Sequence, residues 1–254
     1  MHLRYAESLE DPAQSITFTT LQNAAKENNV SLIGGTFPEK EGEKVYNTCL
    51  VFNNEGKLLG KYRKMHLFDV DIPGKITYKE SEIFTPGDKL GLFELEGLVF
   101  GLGICYDLRF PELALVMRQN GADVLVYPSQ FSKVTGEMHW ELLLRGRAID
   151  TQVKIKSLIV VSITSDLQTF VVGCSPARLP EDGAPFLCWS HSTIVNPMGK
   201  VIATADHLPT IVYGEIDPEQ IKAARTAIPT SFQKRKDIYE VKNNSATEVQ
   251  KRAD

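Results

Sequence analysis

The 254 residues are 43% hydrophobic and 24% charged with a formal net charge of −4, a balance that excludes disordered, collagenous and coiled-coil chains. There is no basic excess of the kind a phosphate-neutralising nucleic-acid binder carries, so no nucleic-acid partner is expected. The longest apolar stretch, near Leu158-Ile159-Val160-Val161, is far short of the roughly 20 residues that cross a bilayer. Met1 to Asp11 holds Arg4, Glu7, Glu10 and Asp11 and no apolar signal core, so no membrane partner and a cytoplasmic location are expected. Cys49, Cys105, Cys174 and Cys188 form no CxxC pair, which predicts reduced thiols and no zinc knuckle.

In chain order, Ser15 to Asn28 places Leu21 and Ala24/Ala25 at helical spacing, with Ser15 or Thr17 as the cap. Val30 to Gly34 is a short apolar run stopped by Gly34-Gly35, and Tyr46 to Phe52 reads as a strand that turns through Asn54-Glu55-Gly56 into Lys57 to Tyr62. Leu98 to Ile104 is a buried strand by composition. A helix follows over Pro111 to Gln119, with Pro in its first turn and Gly121 just past its end. Asp123 to Tyr127 is another buried strand. Glu137 to about Asp150 sets Trp140, Leu143 and Leu144 at i, i+3 and i+4, and the strands Thr193 to Asn196 and Lys200 to Ala203 flank a Pro-Met-Gly turn. Alternation of strands and helices predicts α/β layering. The polar tail from Lys242 to Asp254 carries too little apolar area to offset its ordering and is expected to fray.

Cys105 stands at a strand-to-helix elbow, ahead of Tyr106-Asp107-Leu108-Arg109-Phe110-Pro111. Backbone N–H groups at such a bend favour a thiolate and can hold an oxyanion; a buried structural cysteine fits the same position. Lys64, after Tyr62-Arg63, reads either as a solvated strand end among Lys57, Lys61 and Arg63 or as a partly buried donor to an oxyanion. Glu80 is an ordinary surface acid unless a cation lies beside it. A Cys–His couple through His66 or His139 is a further alternative. The five histidines include no HxxxH or HExxH pair, so no metal is predicted. Neither Gly34-Gly35 nor Gly101-Leu102-Gly103 makes a phosphate loop, and no cofactor is predicted.

Taken together, Lys61-Tyr62-Arg63-Lys64-Met65-His66-Leu67-Phe68-Asp69, Asp71-Ile72-Pro73-Gly74, Gly103-Ile104-Cys105-Tyr106-Asp107 with Arg109-Phe110-Pro111-Glu112, and His139-Trp140-Glu141 resemble the carbon–nitrogen hydrolase (nitrilase) superfamily, and within it the omega-amidase branch. The resemblance runs from about Tyr5 to Val241. It implies an α-β-β-α sandwich, here N-terminally truncated, formed by a hydrolase domain over residues 1–241 with residues 242–254 as a tail, and subunits that pair into a homodimer through helical faces. It implies Cys105 as nucleophile, Lys64 as the cation that stabilises the tetrahedral intermediate, Glu80 as its supporting glutamate, Tyr106 as the source of the oxyanion-hole N–H, and Phe131 at the substrate pocket beside the Arg145/Arg147 region. The implied reaction hydrolyses the side-chain amide of 2-oxoglutaramate or 2-oxosuccinamate through a Cys thioester. Deaminated glutathione and carbamoylated β-amino acids are alternative small-molecule amide substrates.

The sequence departs from this pattern twice. The family's opening strand, helix and strand end in a Leu-Pro-Glu segment that supplies the general-base glutamate, and Met1 starts after it. Glu39 in Phe37-Pro38-Glu39 mimics that segment but follows Gly34-Gly35, where the family has a different Pro-Glu pair, so it is not taken as a substitute. A catalytically impaired family member is therefore an alternative to an active amidase. The second departure is an apparent insertion over Lys154 to Thr169, itself strand-like from Ser157 to Thr164.

Overall fold

A computed structural model describes residues 2–74, 76–151, 168–178, 187–228, 230–244 and 249–250. Contacts gather into two units, Met1–Gly97 with Ser245–Asp254, and Leu98–Asn244.

The first unit is a twisted sheet with one helix against it. Its strands are β1 (Glu7–Ser8), β2 (Leu32–Glu41), β3 (Lys44–Phe52) and β4 (Leu58–Arg63), hydrogen-bonded in that order, with β1–β2 parallel and the other pairs antiparallel. Helix α1 (Ile16–Asn28) begins where the Ser15 hydroxyl accepts from the Phe18 N–H at 3.0 Å and ends at Asn29 in the left-handed region. Its apolar face buries Phe18 and Ala25, with Leu21 beside them, against Phe37, Leu50 and Phe52 of the sheet. Phe18 and Phe52 meet edge to face with centroids 5.2 Å apart. Each such side chain contributes on the order of 1.5–3 kcal/mol when fully buried.

Gly34-Gly35 does not end the strand, as its composition suggests; β2 runs on through a register shift to Glu41. The physical reason for Gly34 is proximity rather than a turn, because a Cβ there would lie 2.8 Å from Leu21 Cδ1 of α1. Beyond β4, a hairpin of β5 (Asp69–Ile72) and β6 (Ile76–Lys79) forms a separate two-stranded sheet, and β7 (Gly91–Leu95), which belongs to neither of these sheets, is the last strand within the unit's residues. The expected fraying of the tail does not extend to Gln250. Its N–H donates to Leu92 O at 2.9 Å and its carbonyl accepts from the Glu94 N–H at 3.0 Å.

The second unit is built on three adjacent parallel strands, β8 (Leu98–Leu102), β9 (Val124–Pro128) and β10 (Phe170–Cys174), extended antiparallel by β11 (Thr193–Val195) and β12 (Val201–Thr204). Every residue of β9 is buried, as a parallel strand covered on both faces must be. Helix α2 (Pro111–Gln119) opens with Pro111, and α3 (Lys133–Asp150) is capped by Ser132, whose hydroxyl accepts from the Thr135 N–H at 3.2 Å. α3 turns Trp140, Leu144 and Ala148 inward, and Trp140 Nε1 donates to His191 O at 2.7 Å. Helices α4 (Pro218–Ala227) and α5 (Thr230–Gln233) follow. The insertion expected over 154–169 lies outside the described residues except for Gln168 and Thr169, both buried, with Thr169 Oγ1 2.9 Å from Thr151 Oγ1.

Glu39, on β2, is 1% exposed and accepts from Thr48 Oγ1 at 2.7 Å and from Arg63 Nε at 2.9 Å, with Lys61 Nζ as a further partner. Burial pushes its carboxyl up; the hydrogen bonds from Arg63, Lys61 and Thr48 outweigh that and leave it below the ordinary value. A depressed folded value stabilises the protein above the unfolded pKa of about 4.3 and loses that contribution as pH falls through the folded one. Glu39→Gln should therefore cost roughly 1–3 kcal/mol at neutral pH, with the gap closing below pH ~4. Urea denaturation across pH checks this, and a gap constant with pH would contradict it.

Candidate active site

Parallel strands carry their ligands outside their carboxyl ends, and in the second unit that edge is occupied by the residues after β8, β9 and β10. Ile104 continues β8 in extended backbone, and Cys105 then turns sharply with φ 49°, opening a 3-10 turn over Cys105–Arg109. A residue bearing a Cβ adopts this conformation only where its surroundings enforce it. The enforcement is visible. The fully buried Asp107 side chain accepts from the Ile104 N–H at 2.8 Å, and Asp107 N–H donates to Ile104 O at 3.0 Å. Behind the bend Gly103 lies against Tyr127, where a Cβ would come within 2.5 Å of Tyr127 Cε1. Arg147 Nε, reaching from α3, donates to Leu108 O at 3.0 Å.

The Cys105 thiol is half-buried and donates to Gln130 O, two residues past β9, at 3.6 Å. Tyr106 follows it and meets Phe110 edge to face at 5.3 Å. Phe131, 4% exposed, packs on Trp140 at 5.3 Å and carries the Arg109 guanidinium 4.7 Å above its ring. The cation–π contact and a hydrogen bond of 3.2 Å from Arg109 Nη1 to His139 Nδ1 fix that guanidinium near the elbow. His139 Nδ1 is thereby engaged by a cation, which does not suit it to serve as a base for the thiol.

Lys64 and Glu80 meet in the first unit. Lys64 follows β4 and is 3% exposed, Glu80 follows β6 and is 5% exposed, and Nζ donates to Glu80 Oε2 at 2.5 Å. The same oxygen accepts from the Phe68 N–H at 2.7 Å. Lys64 is thus a buried ion pair, not a solvated strand end, and Glu80 has the cationic neighbour that sets it apart from a surface acid. Its neighbours Lys61 and Arg63 point instead to Glu39 and Glu41. Lys61 and Arg63, two apart on β4, share one face, and Lys64 lies just past the strand's end.

Two residues of the site were not assigned from sequence. Asp107 carries a signal that was available, since an acid three residues past Ile104 fits a reciprocal cap at the start of a helical turn. Arg109 lies inside the quoted motif, but its stacking on Phe131 is a long-range contact that no local pattern encodes. The Arg145/Arg147 region divides: Arg147 is buried under the elbow, while Arg145 binds Gly199 O at 2.8 Å. Among the described residues no cluster of His, Cys, Asp and Glu is arranged to hold a metal ion, and no helix is long and apolar enough to cross a membrane.

The sequence profile of the carbon-nitrogen hydrolase family matches residues 2–226. The chain belongs to the carbon–nitrogen hydrolase family. It is 46% identical to the Homo sapiens omega-amidase NIT2 over 237 residues, which cover 93% of this chain and 78% of that protein. It is 42% identical to the Saccharomyces cerevisiae omega-amidase NIT3 over 240 residues, 93% and 76% of the two chains. The crystal structure of Saccharomyces cerevisiae Nit3, a member of branch 10 of the nitrilase superfamily, aligns with a TM-score of 0.72 at 39% identity, over 86% of this chain and 71% of that one. This hydrolase therefore has the nitrilase-superfamily α/β fold, with mixed sheets and helices.

The backbone at Cys105 makes a stability prediction that is independent of activity. Cys105→Ala keeps a Cβ at φ 49° and Cys105→Gly removes it, so the Gly variant should be the more stable of the two by about 1 kcal/mol. Denaturation midpoints check the order, and the usual penalty for glycine at this position would contradict it.

Proposed function

We propose that this hydrolase is an omega-amidase, splitting the side-chain amide of 2-oxoglutaramate or 2-oxosuccinamate into the 2-oxo dicarboxylate and ammonia. The observation that carries the reading is Cys105 in the left-handed region at the carboxyl edge of the parallel strands. In this role the sulfur attacks the amide carbon and the Tyr106 N–H and the Lys64 ammonium hold the resulting oxyanion. The nitrogen takes up a proton and leaves as ammonia. Water then cleaves the thioester to the carboxylate. Glu80 holds the Lys64 side chain in place, and Phe131 forms a pocket wall. Arg109 supports the dicarboxylate preference, because a guanidinium fixed beside the elbow can pair with a substrate carboxylate. The relatives named omega-amidase, at 42% and 46% identity, support the same substrate class.

A second reading is a family member without turnover, supported by Glu39. Its carboxylate is committed to Lys61, Arg63 and Thr48, so Pro38-Glu39 does not provide a general base. Loss of one such group costs about 10²–10⁴-fold. Ammonia release from 2-oxoglutaramate by the purified, monodisperse chain separates the two readings. An active amidase shows release that Cys105→Ala abolishes and Lys64→Met lowers by at least about 10²-fold; release insensitive to Cys105→Ala contradicts the proposed chemistry.

The same reading takes the protein as a cytoplasmic homodimer acting on small amides, without nucleic-acid or membrane partners. Pairing through a helical face is supported by α3, whose Val134, Met138 and Leu142, at i, i+4 and i+8, are 68%, 55% and 68% exposed. Leu142→Glu should shift the mass seen by sedimentation from dimer to monomer, and a variant that sediments like the parent would remove α3 from the interface.

A further inference from the structure

The second unit contains a cleft of about 160 Å³ that Cys105, Tyr106 and Phe131 do not line. Its lining includes Ser175, Ser190, His191, Ser192, Asp206 and Thr210. Ser190 is 2% exposed, and its hydroxyl has no hydrogen-bond partner among the described residues. A buried polar group left in that state is costly, and a ligand in the cleft supplies what is missing. The backbone points the same way. Ser190 and His191, with φ 66° and 61°, are consecutive side-chain-bearing residues in the left-handed region, a conformation that clusters where ligands are held. His191 O accepts from Trp140 Nε1 at 2.7 Å and from Thr193 Oγ1 at 2.6 Å, and the His191 ring stacks on Trp189 at 4.2 Å. The loop is thus fixed in this shape by its surroundings.

The lining chemistry selects the ligand. It contains one carboxylate, Asp206, and no lysine or arginine, which disfavours an anion. His191 Nδ1 faces Trp189 O at 2.6 Å, so in the neutral ring that nitrogen is the donor and Nε2 the acceptor. Asp206 Oδ1 accepts from the Leu208 N–H at 2.7 Å, and among the described residues its second oxygen takes no hydrogen bond. The set is rich in acceptors and asks for a positively charged donor. The volume is ample for ammonium or a short amine, since a site of roughly 10–15 Å³ by the same measure already holds one water.

We propose that this cleft binds a small protonated amine, either ammonium or a short primary alkylammonium, whose N–H groups donate to Ser190 Oγ, His191 Nε2 and the Asp206 carboxylate. Binding stands apart from the amidase reading, and its test reads binding directly. The full chain is titrated calorimetrically with ammonium, methylammonium, tetramethylammonium and sodium chlorides at fixed ionic strength. Saturable binding of ammonium and methylammonium is expected, with none for tetramethylammonium, which has no N–H, or for sodium. Tighter binding of ammonium assigns the site to the inorganic ion, and tighter binding of methylammonium assigns it to an amine. Asp206→Asn should weaken binding at least about tenfold. Ser190→Gly removes the hydroxyl while relaxing the backbone, so it should weaken binding about fivefold or more and leave the melting temperature equal or higher. Absence of saturable binding by either amine, equal binding of sodium, or unchanged affinity in Ser190→Gly overturns the proposal.

Discussion

The bend at Cys105 is the constraint on which the rest of the site depends. A side-chain-bearing residue held at φ 49° costs of order 1–3 kcal/mol relative to relaxed backbone, and a protein of ordinary stability has only about 5–15 kcal/mol in hand. The second unit meets that cost with three groups packed around the bend. Asp107 is completely buried so that its carboxylate can take the Ile104 N–H, Gly103 gives up its side chain to Tyr127, and Arg147 spans from α3 to the carbonyl of Leu108. Burial raises the Tyr127 phenol well above its usual range, with the Arg147 charge opposing and the Asp107 charge reinforcing the shift. The hydroxyl has no hydrogen-bond partner among the described residues, which fits a ring kept there for shape.

The first unit holds a second constrained arrangement of its own. One oxygen of Glu80 accepts from both Lys64 Nζ and the Phe68 N–H. Breaking a buried pair of this kind strands a charge, so the pair fixes the lysine's position. It also ties the lysine to the start of the β5–β6 hairpin, because Glu80 N–H donates to Phe68 O at 3.1 Å and Asp69 accepts from the Ser81 N–H and hydroxyl. The segment between Phe68 and Ser81 is closed on itself by these bonds. A change in the hairpin therefore reaches Lys64 through a single shared carboxylate.

Much of this was legible in the sequence, and the failures have physical causes. The α1 cap at Ser15, the Pro111 start of α2 and the buried strand β9 follow from local rules, and all are found where those rules place them. Gly34-Gly35 misled because the same residue type serves turns and close packing, and only the position of Leu21 in space tells which applies. The β5–β6 hairpin is mostly exposed and gives no alternation of burial to detect. At the site, the sulfur at a strand-to-helix bend was visible as a position. Its left-handed backbone was not, since nothing in Ile104-Cys105-Tyr106 favours positive φ and the cause lies in Asp107 and Tyr127. The choice between a solvated and a buried Lys64 turned on what it meets just past β4, and its pairing with Glu80 spans sixteen residues of sequence.

The central claim is that the Cys105 sulfur becomes acylated during turnover. Acid quenching of the protein while it turns over 2-oxoglutaramate, followed by peptide mass mapping, tests it most directly. The account predicts a 2-oxoglutaryl adduct confined to the peptide containing Cys105, and ammonia release with an adduct on another residue, or with none trapped under single-turnover conditions, would contradict it.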